Sequence, residues 1–113
     1  MFVTKQVNAM SGMFDDCNSF TSIDLSSFDT SNVKYMSSMF HNCINVTEIN
    51  VSSFNTAKVK NMGDMFNYCN KLESLDLSSF DTSNVTIMGY MFFHCPALKN
   101  LDISNFKTSK VTT

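Results

Sequence analysis

Four cysteines, Cys17, Cys43, Cys69 and Cys95, stand 26, 26 and 26 residues apart, and that period organises the whole chain. Methionine recurs at Met10, Met36, Met62 and Met88, and again at Met13, Met39, Met65 and Met91. Phenylalanine recurs at Phe14, Phe40, Phe66 and Phe92, and again at Phe2, Phe28, Phe54, Phe80 and Phe106. Valine holds Val7, Val33, Val59, Val85 and Val111, and threonine holds Thr4, Thr30, Thr56, Thr82 and Thr108. Self-similarity at a fixed period of about 20–50 residues marks units that cannot bury an apolar face alone and do so by stacking.

Two shorter periods lie inside each unit. From Val59, the apolar positions Met62, Met65, Phe66, Cys69 and Leu72 step by three and four, which predicts one face of a helix or of short helical turns. Leu75-Asp76-Leu77-Ser78 then alternates apolar and polar, which predicts a short strand. Phe80-Asp81-Thr82-Ser83-Asn84 reads as the turn into the next unit. The expected fold is an α/β solenoid of leucine-rich-repeat type. Its 26-residue units run 7–32, 33–58, 59–84 and 85–110 as a single domain over residues 1–113. A parallel sheet lies on one face, and short helical or 3₁₀ segments lie on the other.

Stacking gives the two polar columns a role. Cys17, Cys43, Cys69 and Cys95 are expected as a ladder of small buried thiols, and Thr30, Thr56, Thr82 and Thr108 as hydroxyls that pair backbone groups left over at a tight corner. Disulfides between adjacent units would bend a regular ladder. No C-x-x-C pair or His doublet suggests zinc. No cofactor, no metal and no catalytic residue is expected, because no cluster of His, Asp, Ser or Lys breaks the repeat.

Charge narrows the partners. The net charge is −2, all eight basic residues are lysines, and they are scattered singly along the chain. Nucleic acid is therefore not an expected partner, and neither a polybasic membrane patch nor a membrane-inserted segment is expected. The start of the chain carries no signal-peptide pattern.

The strand core Leu72-x-x-Leu75-x-Leu77 fits the leucine-rich pattern, but Phe80 stands where that class usually has a ladder Asn or Cys. The full unit resembles the 26-residue repeat of bacterial surface proteins. This is a BspA-like leucine-rich relative found in lipoproteins and wall-anchored proteins of mycoplasmas, lactobacilli and Listeria. The residues that carry the resemblance are Leu75-Asp76-Leu77-Ser78-Ser79-Phe80-Asp81-Thr82-Ser83-Asn84-Val85, then Met91-Phe92 and Cys95. It implies a non-enzymatic scaffold at the cell surface or secreted, used for adhesion, protein–protein interaction or display.

The candidate binding face is formed by the outward positions of the strands. Its columns are Ser22/Glu48/Ser74/Asn100, Asp24/Asn50/Asp76/Asp102 and Ser26/Ser52/Ser78/Ser104. Two readings stay open: a polar, mildly acidic ligand surface or weak Ca²⁺ site, and a solvated sheet face kept polar for solubility. His41 and His94 occupy different columns and are expected as solvated residues on the opposite side. The acceptor patterns at Asn45, Asn50 and Asn84 read as accidents of a repeat rich in Asn, Ser and Thr. Two partner classes follow: an unknown protein or surface ligand, and a second copy of the chain stacked end to end through uncapped ends. The alternative to self-stacking is that the chain is a fragment of a longer surface protein.

Overall fold

A helix needs an unbroken run of right-handed residues, and this backbone interrupts every such run twice per unit. The structure, a computed structural model, describes residues 6–113. Phe2 and Thr4, assigned above to the Phe and Thr columns, lie outside the described residues. Left-handed φ angles recur at Gly12, Ser38, Asp64 and Tyr90, and again four residues later at Asp16, Asn42, Tyr68 and His94, all between 56° and 66°. The Met-Phe-Cys segments are therefore chains of tight turns.

Their hydrogen bonds show how. The amides of Ser38, Phe40 and Asn42 donate to Gly63, Met65 and Asn67 of the next unit at 2.9, 2.9 and 2.7 Å. The intervening amides of Met39 and His41 turn back to Met36 and Ser38 at 3.3 and 3.2 Å. The next unit repeats this, with Asp64, Phe66 and Tyr68 donating to Gly89, Met91 and Phe93. Alternate N–H groups thus serve the local turn and the neighbouring layer. That arrangement satisfies a buried backbone without a helical ladder.

On the opposite side, β1 (Ser22–Asp24) and β2 (Glu48–Asn50) pair in parallel, with Ser22 opposite Glu48, Ile23 opposite Ile49 and Asp24 opposite Asn50. Isolated parallel bridges continue the stacking at Glu48–Ser74 and along Ala9–Tyr35–Asn61–Ile87. Among the described residues there is no helix, and these two three-residue strands are the only strands. The chain is a compact globule of 34 × 30 × 20 Å. The expected α/β solenoid, with helical or 3₁₀ segments facing a sheet, is thus overturned. The three-and-four spacing came from turns whose left-handed corners bring apolar side chains to one side.

The interior is built from like residues in successive units. Val33, Met36, Met39, Phe40, Cys43 and Val46 are fully buried, as are their counterparts Val59, Met62, Met65, Phe66, Cys69 and Leu72. Phe14, Phe40, Phe66 and Phe92 stack ring on ring, with centroids 5.7, 5.4 and 5.7 Å apart and planes within 8°. Phe54 and Phe80 form a second stack at 6.1 Å. Offset stacking adds to the large apolar area each ring removes from water.

Both polar columns are wired into the backbone. The Thr56 hydroxyl donates to the Asp81 carbonyl at 2.8 Å and accepts the Asp81 N–H at 2.8 Å. Thr30 does the same with Asn55, and Thr82 with Lys107. One side chain thereby closes both backbone valences of the layer above. The thiols of Cys43, Cys69 and Cys95 donate to the carbonyls of Phe14, Phe40 and Phe66 at 3.0–3.2 Å. All four cysteines are free.

Candidate functional site

The outward strand positions do gather on one exposed face. Shallow clefts run along it. One of about 330 Å³ is lined by Asp76, Ser78, Asn100, Asp102 and Ser104. The next, of about 150 Å³, is lined by Glu48, Asn50, Ser52, Ser74 and Asp76. Ser22, Asp24, Glu48 and Asn50 border a third, of about 230 Å³.

The carboxylates of this face, however, are occupied locally. Asp24, Asp76 and Asp102 each accept the N–H of the serine two residues on, Ser26, Ser78 and Ser104, at 2.9–3.0 Å. Asn50 accepts from Ser52 in the same way. This is an Asx turn, in which a short polar side chain mimics a backbone carbonyl. The backbone amide of Ser26 holds the Asp24 carboxyl below its ordinary range, and the hydroxyl and amide of Ser78 and Ser104 do so for Asp76 and Asp102. The bonds to serine outweigh any repulsion between stacked carboxylates. Asp76 and Asp102 are turn formers first, and Asn50 fits their column because its amide oxygen makes the same bond.

The cysteine column offers no nucleophile. Burial pushes the Cys43 thiol up to about 11 and the Cys69 thiol up to about 12, and burial raises Cys17 and Cys95 in the same direction. A thiol of that kind carries almost no thiolate near neutrality. Among the described residues, no group of three or more His, Cys, Asp or Glu side chains converges to hold a metal, and no helix is long and apolar enough to cross a membrane.

The surface that departs most from the repeat is on the turn side. Tyr90 is 68% exposed, Phe93 44% and Tyr68 38%. Their rings form one cluster with His94: Tyr68 stacks on His94 at 4.7 Å, and Phe93 meets His94 edge-on at 4.1 Å and Tyr90 edge-on at 5.4 Å. His41 touches the Tyr68 ring edge-on at 6.3 Å and pairs with Asp15 at 2.9 Å. The two histidines do not stack on each other; His94 is exposed and His41 partly exposed, and the Tyr68 ring lies against both.

Three of these residues carry left-handed backbone, which is least favourable for the two tyrosines. Tyr68, Tyr90 and His94 have φ of 61°, 57° and 56°, where earlier units place Gly, Ser, Asp or Asn in the same columns. A bulky residue there costs on the order of 1–2 kcal/mol. Asn67 reports a related cost. It is buried, it donates to Asp64 at 2.7 Å, and its Oδ1 has no partner; the residue one unit on in its column is Phe93. The aromatic patch was missed from sequence because Tyr68, Tyr90, Phe93 and His94 fall in three different columns. The signal was the replacement of turn-forming residues by rings, at His41 in the second unit and at Tyr68, Tyr90, Phe93 and His94 in the third and fourth.

Residues 1–49, just under half of the chain, match the family model described as "Mycoplasma protein of unknown function, DUF285". That segment spans almost two of the 26-residue periods. Neither the curated proteins nor the solved structures give a match.

Proposed function

We propose that the chain is a non-enzymatic binding and display module of a cell-surface or secreted protein, and that it meets a protein partner through the Tyr68–Tyr90–Phe93–His94 patch. The observation that carries this reading is exposed aromatic area, with Tyr68, Tyr90 and His94 on left-handed corners that the other units fill with Gly, Ser, Asp or Asn. Tyr and Phe are the side chains on which protein contacts concentrate, because they supply area at low entropic cost, and unfavourable backbone geometry gathers at functional positions. The closeness of the unit to BspA-like surface repeats supports a surface setting. Adhesion, protein–protein interaction and display are all uses of such a contact area. The buried thiols and self-capped carboxylates support a role without catalysis.

The test uses substitutions borrowed from the other units. Ser38 occupies the column of Tyr90 and Asn67 that of Phe93, so Tyr90→Ser with Phe93→Asn retains turn chemistry the fold already uses. Beads carrying the wild-type chain should be retained under flow on an epithelial cell layer, and beads carrying the double variant should wash off like bare beads. Equal retention of the two, or no retention of the wild type, would contradict the proposal.

A second reading, a structural subunit that stacks end to end, is favoured by the fourth layer. Phe92, Leu98, Leu101 and Phe106 are only partly buried there, whereas Phe66, Leu72, Leu75 and Phe80, one unit earlier, are buried. A second copy laid on that layer would cover them. Particles that grow with concentration in sedimentation support it; a monomer at every concentration removes it.

A further inference from the structure

Lysines that are far apart in sequence converge on one groove. Lys34, Lys58, Lys60 and Lys110, with Asn84 and Thr86, line an open groove of about 530 Å³. The period explains the meeting, because Lys60 lies one unit beyond Lys34 and Lys110 lies two units beyond Lys58. Backbone bonds hold the columns in line: the Lys60 N–H donates to the Lys34 carbonyl at 2.8 Å, and the Thr86 N–H donates to the Lys60 carbonyl at 2.9 Å. Between them, the ammonium of Lys58 donates to Asn32 and that of Lys110 to Asn84, both at 3.0 Å. Asn84 thus spaces two charges in one column.

No carboxylate lines this groove, and the one ion pair among the described residues, His41–Asp15, does not involve it. Four lysines thus line one groove with no carboxylate among its lining residues, while Asp24, Asp76 and Asp102 accept from their own serines on the strand face. An anion seated in the groove would meet positive side chains from several layers at once.

We propose that this groove binds a linear acidic polysaccharide. Three features select that chemistry. Layers are about 4.8 Å apart, so Lys34 and Lys60 on adjacent layers, with Lys58 and Lys110 in the parallel column, set out a row of cations along the stack, which a linear polyanion matches. Asn84, whose amide bonds Ala57 and Lys110, and Thr86, whose hydroxyl donates to the Lys60 carbonyl, leave uncharged polar surface between the lysines, which the neutral hydroxyls of a sugar polymer match. Nucleic acid fits less well: no aromatic side chain lines the groove to stack a base, no arginine is present to grip phosphate with two parallel bonds, and the net charge is −2. The groove has no lining residue in common with the aromatic patch, so the two proposals stand or fall separately.

The test titrates the intact chain with a hyaluronan decasaccharide, a neutral N-acetylglucosamine oligomer and an oligothymidylate at low ionic strength. Hyaluronan should bind, weaken as salt rises, and outcompete the other two. The double substitution Lys34→Gln with Lys60→Gln should weaken hyaluronan about tenfold, equivalent to about 1.4 kcal/mol. Lys71→Gln with Lys99→Gln, outside the groove, should leave binding unchanged. Both double variants should unfold at the wild-type denaturant midpoint, because all four side chains are exposed. Absence of hyaluronan binding, preference for oligothymidylate or the neutral oligomer, or equal binding by the Lys34/Lys60 variant would overturn the proposal.

Discussion

Units three and four carry nearly the same apolar columns, yet they sit in different physical circumstances. In the third, Val59, Met62, Met65, Phe66, Cys69 and Leu72 are all fully buried. In the fourth, Val85 and Met91 are buried, but Met88, Phe92, Cys95 and Leu98 are only partly covered. Phe66 has a ring stacked on each side, while Phe92 stacks on Phe66 alone. The lesson is that a residue's burial here comes from the layers above and below it, because no unit folds back on itself far enough to cover its own face.

The comparison makes its largest prediction for the stacked rings. Phe66→Ala should cost about 3–5 kcal/mol, within the range for a fully buried aromatic, and Phe92→Ala should cost less than half as much. Denaturant midpoints of the two variants decide it, and equal losses would break the contrast between the units. Thr82 and Thr108 come next. The buried Thr82 hydroxyl bonds both the carbonyl and the N–H of Lys107, at 3.0 and 2.7 Å, whereas Thr108 is exposed. Thr82→Val should therefore cost about 2 kcal/mol by leaving buried backbone groups unpaired, and Thr108→Val no more than about 0.5 kcal/mol.

Alkaline pH separates the same two units through their thiols. The folded state holds the Cys69 thiol up at about 12 against an ordinary value of 9.0, so over that window the unfolded chain loses a proton the folded chain keeps. Stability from this thiol is intact below pH 9 and falls as pH rises toward 12, by at most about 1.4 kcal/mol per pH unit. Melting curves across that range should flatten more for Cys69→Ala than for Cys95→Ala, since Cys95 is the less covered thiol. The smallest effect concerns the left-handed corners. Tyr90→Gly should stabilise the chain by about 0.5 kcal/mol, the relief of left-handed strain less the added freedom of glycine when unfolded. Asp64→Gly should gain less, because Asp tolerates that backbone better than Tyr does.

The period and the core were legible in the sequence because stacking demands like residues at like positions: the Met, Phe, Val, Cys and Thr columns are buried in the inner layers, while Met13, Cys17, Phe92, Cys95 and Thr108 in the outer ones are partly or wholly exposed. The helical segments were misread for a physical reason. Apolar residues spaced by three and four mark one face of a helix, but they also mark successive tight turns, and spacing alone does not separate the two. The discriminating residues lay between them, at Gly12, Asp16, Asn42 and Asp64, of types that tolerate left-handed φ. The strand-face aspartates were visible as a column, and the bond each accepts from the serine two residues ahead is written in the Asp-x-Ser spacing itself. The lysine groove was hidden only by reading the lysines along the chain instead of across its period.

The central claim is that alternate amides of the Met-Phe-Cys segments bond across layers instead of along a helix. Scalar coupling through hydrogen bonds in a labelled sample tests it directly. Phe40 N should couple to the carbonyl carbon of Met65, its partner at 2.9 Å. Coupling of Phe40 N to the carbonyl carbon of Met36, four residues back as in an α-helix, would contradict the account.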